Sequence, residues 1–235
     1  MSNLAIIGIR SGSRGVINKN IKLFCGKPLI YWIIQSALKS IKLDKIIVST
    51  DSEEYRDIVL DYGVEAPFLR PKQLSQDNSL EKEYLLHGLE WLYKNEGYRP
   101  KFVSRLQATS PLQLSEDIDR SIECLENDDS ATSSMVVSET QQPPIKSLKE
   151  QNGYLVPYFD ESKREVVNRQ ELPTAYYRSN IITSRVSSFL KSGNQIGEKS
   201  LKVEIPIERS VDINSELDFY LAEKIAKKYN LCLMN

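Results

Sequence analysis

"AIIGIRSGSRGVINKNI", residues 5–21, decides how this chain is read. An apolar run of strand type, 5–9, ends abruptly in glycines, serines and cations. Two familiar phosphate loops can be tested against the spacing. A dinucleotide fingerprint, G-x-G-x-x-G, needs a glycine where Arg10 stands, although Gly12 and Gly15 keep the final interval. A P-loop counted from Gly8 would put its second glycine at Ser13, and no Gly-Lys-Ser/Thr follows. What remains is a serine/glycine turn carrying Arg10, Arg14, Lys19 and Lys22. Glycine lets a backbone approach an oxyanion closely, and successive N–H groups in such a turn form an anion nest. Arginine adds a planar fork and lysine a point charge. Taken alone, the stretch is either an anion site or a solvated turn.

Working outward, 27–40 reads as a helix with Pro28 near its first position and Leu29, Ile33, Ile34, Ala37 and Leu38 as its apolar face. A second strand is expected at 45–49, then a helix over 52–63 closed by Gly63. Residues 64–71 suggest a third strand, and Asn78 with Glu81 suggests the start of a helix over 80–95. A fourth strand at 101–106, a loop at 107–113 and a helix at 115–127 follow. This alternation predicts an α/β fold, a mostly parallel twisted sheet with helices on both faces. Ligands of such sheets bind beyond the carboxyl ends of the strands. That edge collects the glycine turn, Asp51, Arg70 and Gln107.

From about Ser138 the texture changes to paired prolines, short strand-like pieces and many charges. The expected organisation is an α/β domain over 1–137 and 195–235, with 138–194 inserted as β-hairpins. Residues 201–229 then supply a strand, an acidic loop and a closing helix with Leu217, Leu221 and Ile225 inward.

Composition narrows the class. Across 235 residues, 31 Lys+Arg against 32 Asp+Glu give a net charge of −1, unlike a nucleic-acid coat or a membrane-surface protein. Three scattered cysteines without a C-x-x-C pair argue against a disulfide framework or a structural zinc site. No apolar run approaches ~18 residues, so a soluble cytoplasmic protein is expected. His87, Trp32, Trp91 and Cys25 read as packing residues, and Asp51 as a cap or a site residue.

The ordered set "IRSGSRGVINKNI…GKPLIYWII", "VSTDSEE", "FLRP", "LQATSPLQ", "RQELPTAYYRSN" and "SVDINSELDF" resembles the acylneuraminate cytidylyltransferases, the CMP-sialic acid synthetases and their relatives acting on other nonulosonic acids. The resemblance runs from about Ala5 to Ala222. It implies a Rossmann-like nucleotidyltransferase fold, CTP and a nonulosonic acid as substrates, Mg²⁺ or another divalent cation, and a homodimer formed through the insert. By resemblance Arg10, Ser11, Gly12, Ser13, Arg14 and Lys19 would hold the triphosphate, with Asn20 near the nucleoside. Arg70 would read cytosine and Ser79 would close that pocket. Gln107, Lys146, Arg169, Gln170, Tyr176 and Asn180 would face the sugar, Arg169 matching a cation for its carboxylate. Asp212 matches the first aspartate of the family's D-I-D metal motif and, with Arg10 and Lys19, would carry catalysis.

Three places depart from the family pattern. Asn214 replaces the second aspartate, and "DINSELD" also reads as a helix start capped by Ser215 with Asp218. After Asn180 the family's G-x-I-Y becomes Ile181, Ile182, Thr183 and Ser184, and Gln113 replaces an arginine. The expected acceptor is therefore N-acetylneuraminate or a legionaminate- or pseudaminate-type acid. The alternatives are a cytidylyltransferase for a smaller ulosonate, or a catalytically weak nucleotide-sugar-binding homologue.

Overall fold

In the computed structural model, which describes residues 2–12, 15–159 and 172–233, strand β1 (Asn3–Gly8) lies inside the main sheet. It pairs in parallel with β4 (Lys45–Ser49) on one side and β5 (Phe102–Leu106) on the other. Alternating side chains leave the strand on opposite faces. Ala5 and Ile7 join a core with α1 (Leu29–Lys39), α2 (Glu53–Asp61) and α4 (Ser115–Asn127). Leu4 and Ile6 join a second core with α3 (Glu81–Glu96) and α5 (Val186–Ser192). Both faces of the sheet are thus covered, as the strand–helix alternation implies.

The full order is β10-β6-β9-β5-β1-β4, with β6 at Ser133–Glu139, β9 at Tyr176–Arg185 and β10 at Ser200–Glu204. Only β9 runs antiparallel within it, wedged between β5 and β6. Residues 176–185 therefore belong to the central sheet, although the sequence reading placed them in the insert. The other part of that insert is a two-stranded hairpin, β7 (Leu148–Gln151) with β8 (Tyr154–Pro157). Strand β6 went unrecognised because its serines mask an apolar run.

Local chemistry explains several element ends. Lys27 and Pro28 form β3 (Lys27–Pro28) against β2 (Leu23–Phe24), so α1 begins at Leu29, later than expected. Leu38 is exposed on it, while Ile30 and Trp32 complete the buried face. The Ser52 hydroxyl accepts from the Tyr55 N–H and caps α2. Replacing Ser52 with alanine should cost about 1 kcal/mol of stability, read as a lower urea midpoint with unchanged slope.

Residues 64–71 form no full strand: their backbone meets the chain at β4 through isolated bridges, Glu65 to Ile47 and Leu69 to Thr50 just past its end. α3 starts at Glu81, with Glu83 accepting from the Leu80 N–H. In α6 (Glu216–Lys228) the inward residues are Phe219, Ala222 and Ala226, whereas Leu217 and Leu221 are exposed, correcting the expected face. Phe219 meets Phe24 edge to face, so α6 packs on the β2–β3 ribbon rather than the sheet. A disulfide between Cys25 and Cys232 ties that ribbon to the chain's last turn, contrary to the cysteine reading, and Cys124 is free.

Candidate active site

The first loop leaves β1 over the strand ends and is docked from β4. Asp51 accepts from the Ser11 N–H at 2.8 Å and from its hydroxyl at 2.9 Å. The Asn20 amide, buried, donates to the Arg10 carbonyl at 3.0 Å. Gly8 and Gly15 are demanded by close approach: a Cβ on Gly8 would fall 2.4 Å from the Tyr84 ring, and one on Gly15 would fall 2.0 Å from the Asn214 carbonyl oxygen.

Two adjoining cavities open above this edge. The larger, about 460 Å³, is lined by Arg10, Lys19, Asn20, Glu81, Gln107, Asn180, Asp212 and Asn214, among others. The smaller, about 170 Å³, takes in Arg70, Ser79, Tyr84 and again Arg10, Glu81 and Gln107. A wider groove of about 810 Å³ near Leu86, Tyr93 and Leu190 holds none of the anticipated site residues.

On the first-loop side, Lys19 Nζ donates to the Ile213 carbonyl at 2.7 Å. Burial pulls its ammonium below the ordinary lysine range, with Asp212 opposing the shift. Arg10 reaches Asp77 at 2.8 Å. Lys22 is drawn off to Glu216 at 2.6 Å, so the fourth cation of the loop faces α6 instead of the cavity. Ser13 and Arg14 lie outside the described residues. Ser11 and Gly12 are exposed and line neither cavity.

The smaller cavity is built on Arg70. Its Nη2 donates to the Ser49 carbonyl at 2.5 Å, its Nε to the Ser49 hydroxyl at 3.0 Å, and its plane lies 4.6 Å from the Tyr84 ring centre. Burial lowers its pKa from the arginine norm. The fully buried Tyr84 hydroxyl has no hydrogen-bond partner among the described residues, and burial raises its pKa. Ser79 folds back onto Gln73 and Gln76.

At the far side Asn180 Nδ2 donates to Asp212 at 2.8 Å and to Ser110 at 2.8 Å. Asn214 Nδ2 donates to the other Asp212 oxygen at 2.8 Å, and the Ile213 N–H bonds to the Thr109 carbonyl at 2.9 Å. Ser215 caps α6 through Asp218, so the helix-start reading of "DINSELD" also holds. Lys146, on the turn Pro144–Lys146, lines neither cavity. Tyr176 is engaged by Lys202 at 2.5 Å and likewise stays out. Arg169 and Gln170 fall outside the described residues.

The apparent departures at 181–184 face the interior: Ile181 lies in the core and Thr183 bonds to Ser104 and Ser121. Gln113 is buried too, bonded to Ser179. Neither change alters the cavity wall directly. What sequence reasoning missed is Glu81, Arg105 and Arg178. Arg105, on β5, pairs with Glu81, and Arg178 lies close enough to disfavour its charge. Glu81 had been assigned to the helix cap; no local pattern separates those roles.

These features define an α/β protein with a polar cavity, holding Arg10, Lys19 and Asp212 together, at the carboxyl edge of a twisted sheet. The family model for Cytidylyltransferase matches residues 4–232, and the chain belongs to that family. It is 30% identical over 227 residues to the N-acylneuraminate cytidylyltransferase of Escherichia coli O18:K1:H7, covering 97% of this chain and 52% of that protein. The chain thus spans about half the length of that relative. It is 28% identical over 228 residues to the CMP-N,N'-diacetyllegionaminic acid synthase of Legionella pneumophila, covering 96% of each. A solved CMP:2-keto-3-deoxy-manno-octonic acid synthetase complexed with CTP shares the fold, with TM-score 0.71 at 15% identity over 97% of this chain and 100% of that one. No helix of the described residues is long and apolar enough to cross a membrane.

Proposed function

We propose that this chain transfers a cytidylyl group from CTP to a nonulosonic, sialic-acid-like acid, forming the CMP-sugar and pyrophosphate. One observation carries the reading: residues from the first loop, the loop after β5, β9 and the D-I-N segment meet in a single cavity. The chain around that cavity matches the cytidylyltransferase family almost end to end.

The residues suit a phosphate-borne Mg²⁺. Among the described residues no group of three or more His, Cys, Asp or Glu side chains could hold a metal unaided. Magnesium bound with substrate phosphates needs only one or two carboxylates. Asp212 is that carboxylate, and a carboxylate accepting two amide bonds keeps free lone pairs. Asp212, with Asn214 beside it, would hold the ion; bound, it would neutralise phosphate charge and make the acceptor hydroxyl more acidic.

The chain's own groups do the rest. Asn180 and Asn214 fix the Asp212 carboxylate from two sides. Arg10 and Lys19 take the triphosphate and stabilise the departing pyrophosphate. Gln107 and Asn180 orient the acceptor, whose C2 hydroxyl attacks the α-phosphorus, and bringing the two reactants into line supplies much of the rate. Arg70, fastened to Ser49, offers its remaining guanidinium edge to cytosine.

A homodimer completes the proposal. The β7–β8 hairpin exposes Leu148, Tyr154 and Leu155 (57, 75 and 72% accessible), and a lone two-stranded hairpin is marginal in water. Sedimentation should return twice the mass of 26.9 kDa; a monomer at micromolar concentration would remove that part.

The test of function is direct. The protein is incubated with CTP, Mg²⁺ and N-acetylneuraminate, legionaminate-type and pseudaminate-type acids, and pyrophosphate and product mass are followed. One acid should give a CMP product. CTP binding without product from any acid would favour a nucleotide-binding homologue, and equal turnover with UTP or ATP would overturn the role of Arg70. A pH test isolates Lys19. Because burial lowers its pKa, its charge is lost at lower pH than an ordinary lysine's. CTP affinity, measured calorimetrically, should therefore begin to fall on the alkaline side before pH 10.5 is reached. In Lys19→Arg it should stay flat across that range.

A further inference from the structure

We infer that Glu81, held by Arg105, is a positioning residue that turns the Gln107 amide so that its carbonyl oxygen faces the acceptor and reads a hydroxyl or N-acyl N–H there. The inference rests on the cytidylyltransferase reading above and sharpens what the site recognises.

The chemistry fixes the direction. Glu81 Oε1 accepts from Gln107 Nε2, and Glu81 Oε2 accepts from Arg105 Nη1. An ionised carboxylate has no donor, so Gln107 can meet it only through nitrogen. The carbonyl oxygen of the same planar amide must then point away from Glu81. Gln107 and Glu81 line both cavities, placing this amide at the junction of the two.

Arg105 keeps that arrangement one-way. Its side chain is 7% accessible while that of Glu81 is 45% accessible. A guanidinium so poorly hydrated needs an anion beside it, and Glu81 is the carboxylate paired with it. Burial first, and Arg178 second, push the Arg105 pKa down to about 10, with Asp212 opposing. Arg105 therefore remains a cation near neutral pH, paired with Glu81. Glu81 itself sits in the first turn of α3, where the helix favours an acid. With one oxygen given to each partner, its part is to orient rather than to react.

Glu81→Gln tests this, because an amide at 81 can present either oxygen or nitrogen and frees Gln107 to flip. At saturating acceptor, kcat should stay within about threefold and CTP affinity should not change. KM for the acceptor turned over by the wild type should rise about tenfold, the worth of one neutral hydrogen bond. In ¹⁵N-labelled protein the Gln107 side-chain amide signal, assigned by its loss in Gln107→Asn, should move in Glu81→Gln. If the unpaired Arg105 prevents folding, Glu81→Gln with Arg105→Met removes the buried cation as well and is read the same way. An unchanged acceptor KM would overturn the inference, as would an equal loss of CTP affinity, which would assign the amide to the ribose. Should the wild type use none of the acids, the functional reading fails. The amide signal still decides the orientation, and one that does not move overturns it.

Discussion

Asp212→Ala should lower CMP-sugar formation at least ~100-fold, the scale on which a metal-organising carboxylate acts, while its melting temperature stays close to that of the wild type. The carboxylate is tied by Asn180 and Asn214, two polar side chains at the cavity edge, and anchors no apolar cluster. The backbone beside it is pinned independently, by the Ile213 N–H on Thr109 and by Lys19 on the Ile213 carbonyl. Removing the side chain therefore strips charge without unfastening the segment. Asp212→Asn separates shape from charge, since it keeps a planar polar group and loses the anion. It should fall nearly as far as alanine, and raising Mg²⁺ should recover part of the rate. Pyrophosphate release against Mg²⁺ concentration, beside a thermal melt, decides the matter. Full activity in Asp212→Ala would refute the metal role.

The second large effect is expected from a methyl group. Gly15→Ala would place a carbon 2.0 Å from the Asn214 backbone oxygen, a contact that no side-chain rotation relieves. The first loop and the D-I-N segment must separate. With them go the seat of Lys19 on Ile213 and the facing of Arg10 and Lys19 toward Asp212. CTP affinity should drop by at least about tenfold, with the sheet and both main cores unaffected because neither contains Gly15. Calorimetry with CTP, together with a far-ultraviolet spectrum unchanged from the wild type, would bear this out. Gly8→Ala is milder in principle, since the obstructing atoms belong to the Tyr84 ring, which can turn.

Much of the sheet was legible because parallel strands buried on both faces are nearly continuous apolar runs. Residues 45–49 and the helix at 115–127 were placed correctly for that reason and for strict helical spacing. Topology alone gathered the glycine turn, Asp51, Arg70 and Gln107 at one edge, whereas Lys19, Asn180 and Asp212 were anticipated only through the family resemblance. The face of α6 was misjudged because leucines were ranked by hydrophobicity, whereas a thin ribbon at Phe24 accepts Ala222 and Ala226 at close range. β9 was set apart because it follows paired prolines and a highly charged stretch, yet it lies inside the sheet, where Thr183 spends its hydroxyl on Ser104 and Ser121. Glu81 was invisible for a different reason. Its significance lies in Arg105, 24 positions away, and nothing local announces such a pairing.

The contacts between the chain's beginning and its last quarter bear on how the protein is made. Lys19 reaches Ile213 across 194 positions, Lys22 reaches Glu216 across 194, and Cys25 reaches Cys232 across 207. A ribosome delivering this chain releases the first loop well before the segment at 211–216 that meets it, Lys19 and Ile213 lying 194 positions apart. Through most of synthesis the loop has neither the carbonyl that seats its lysine nor the helix that draws off Lys22. The nascent protein can lay down β1, β4 and β5 and bury their faces, but the cavity beside the first loop closes only once the D-I-N segment has been made. Premature termination before the D-I-N segment would therefore leave the sheet without the wall that completes the cavity.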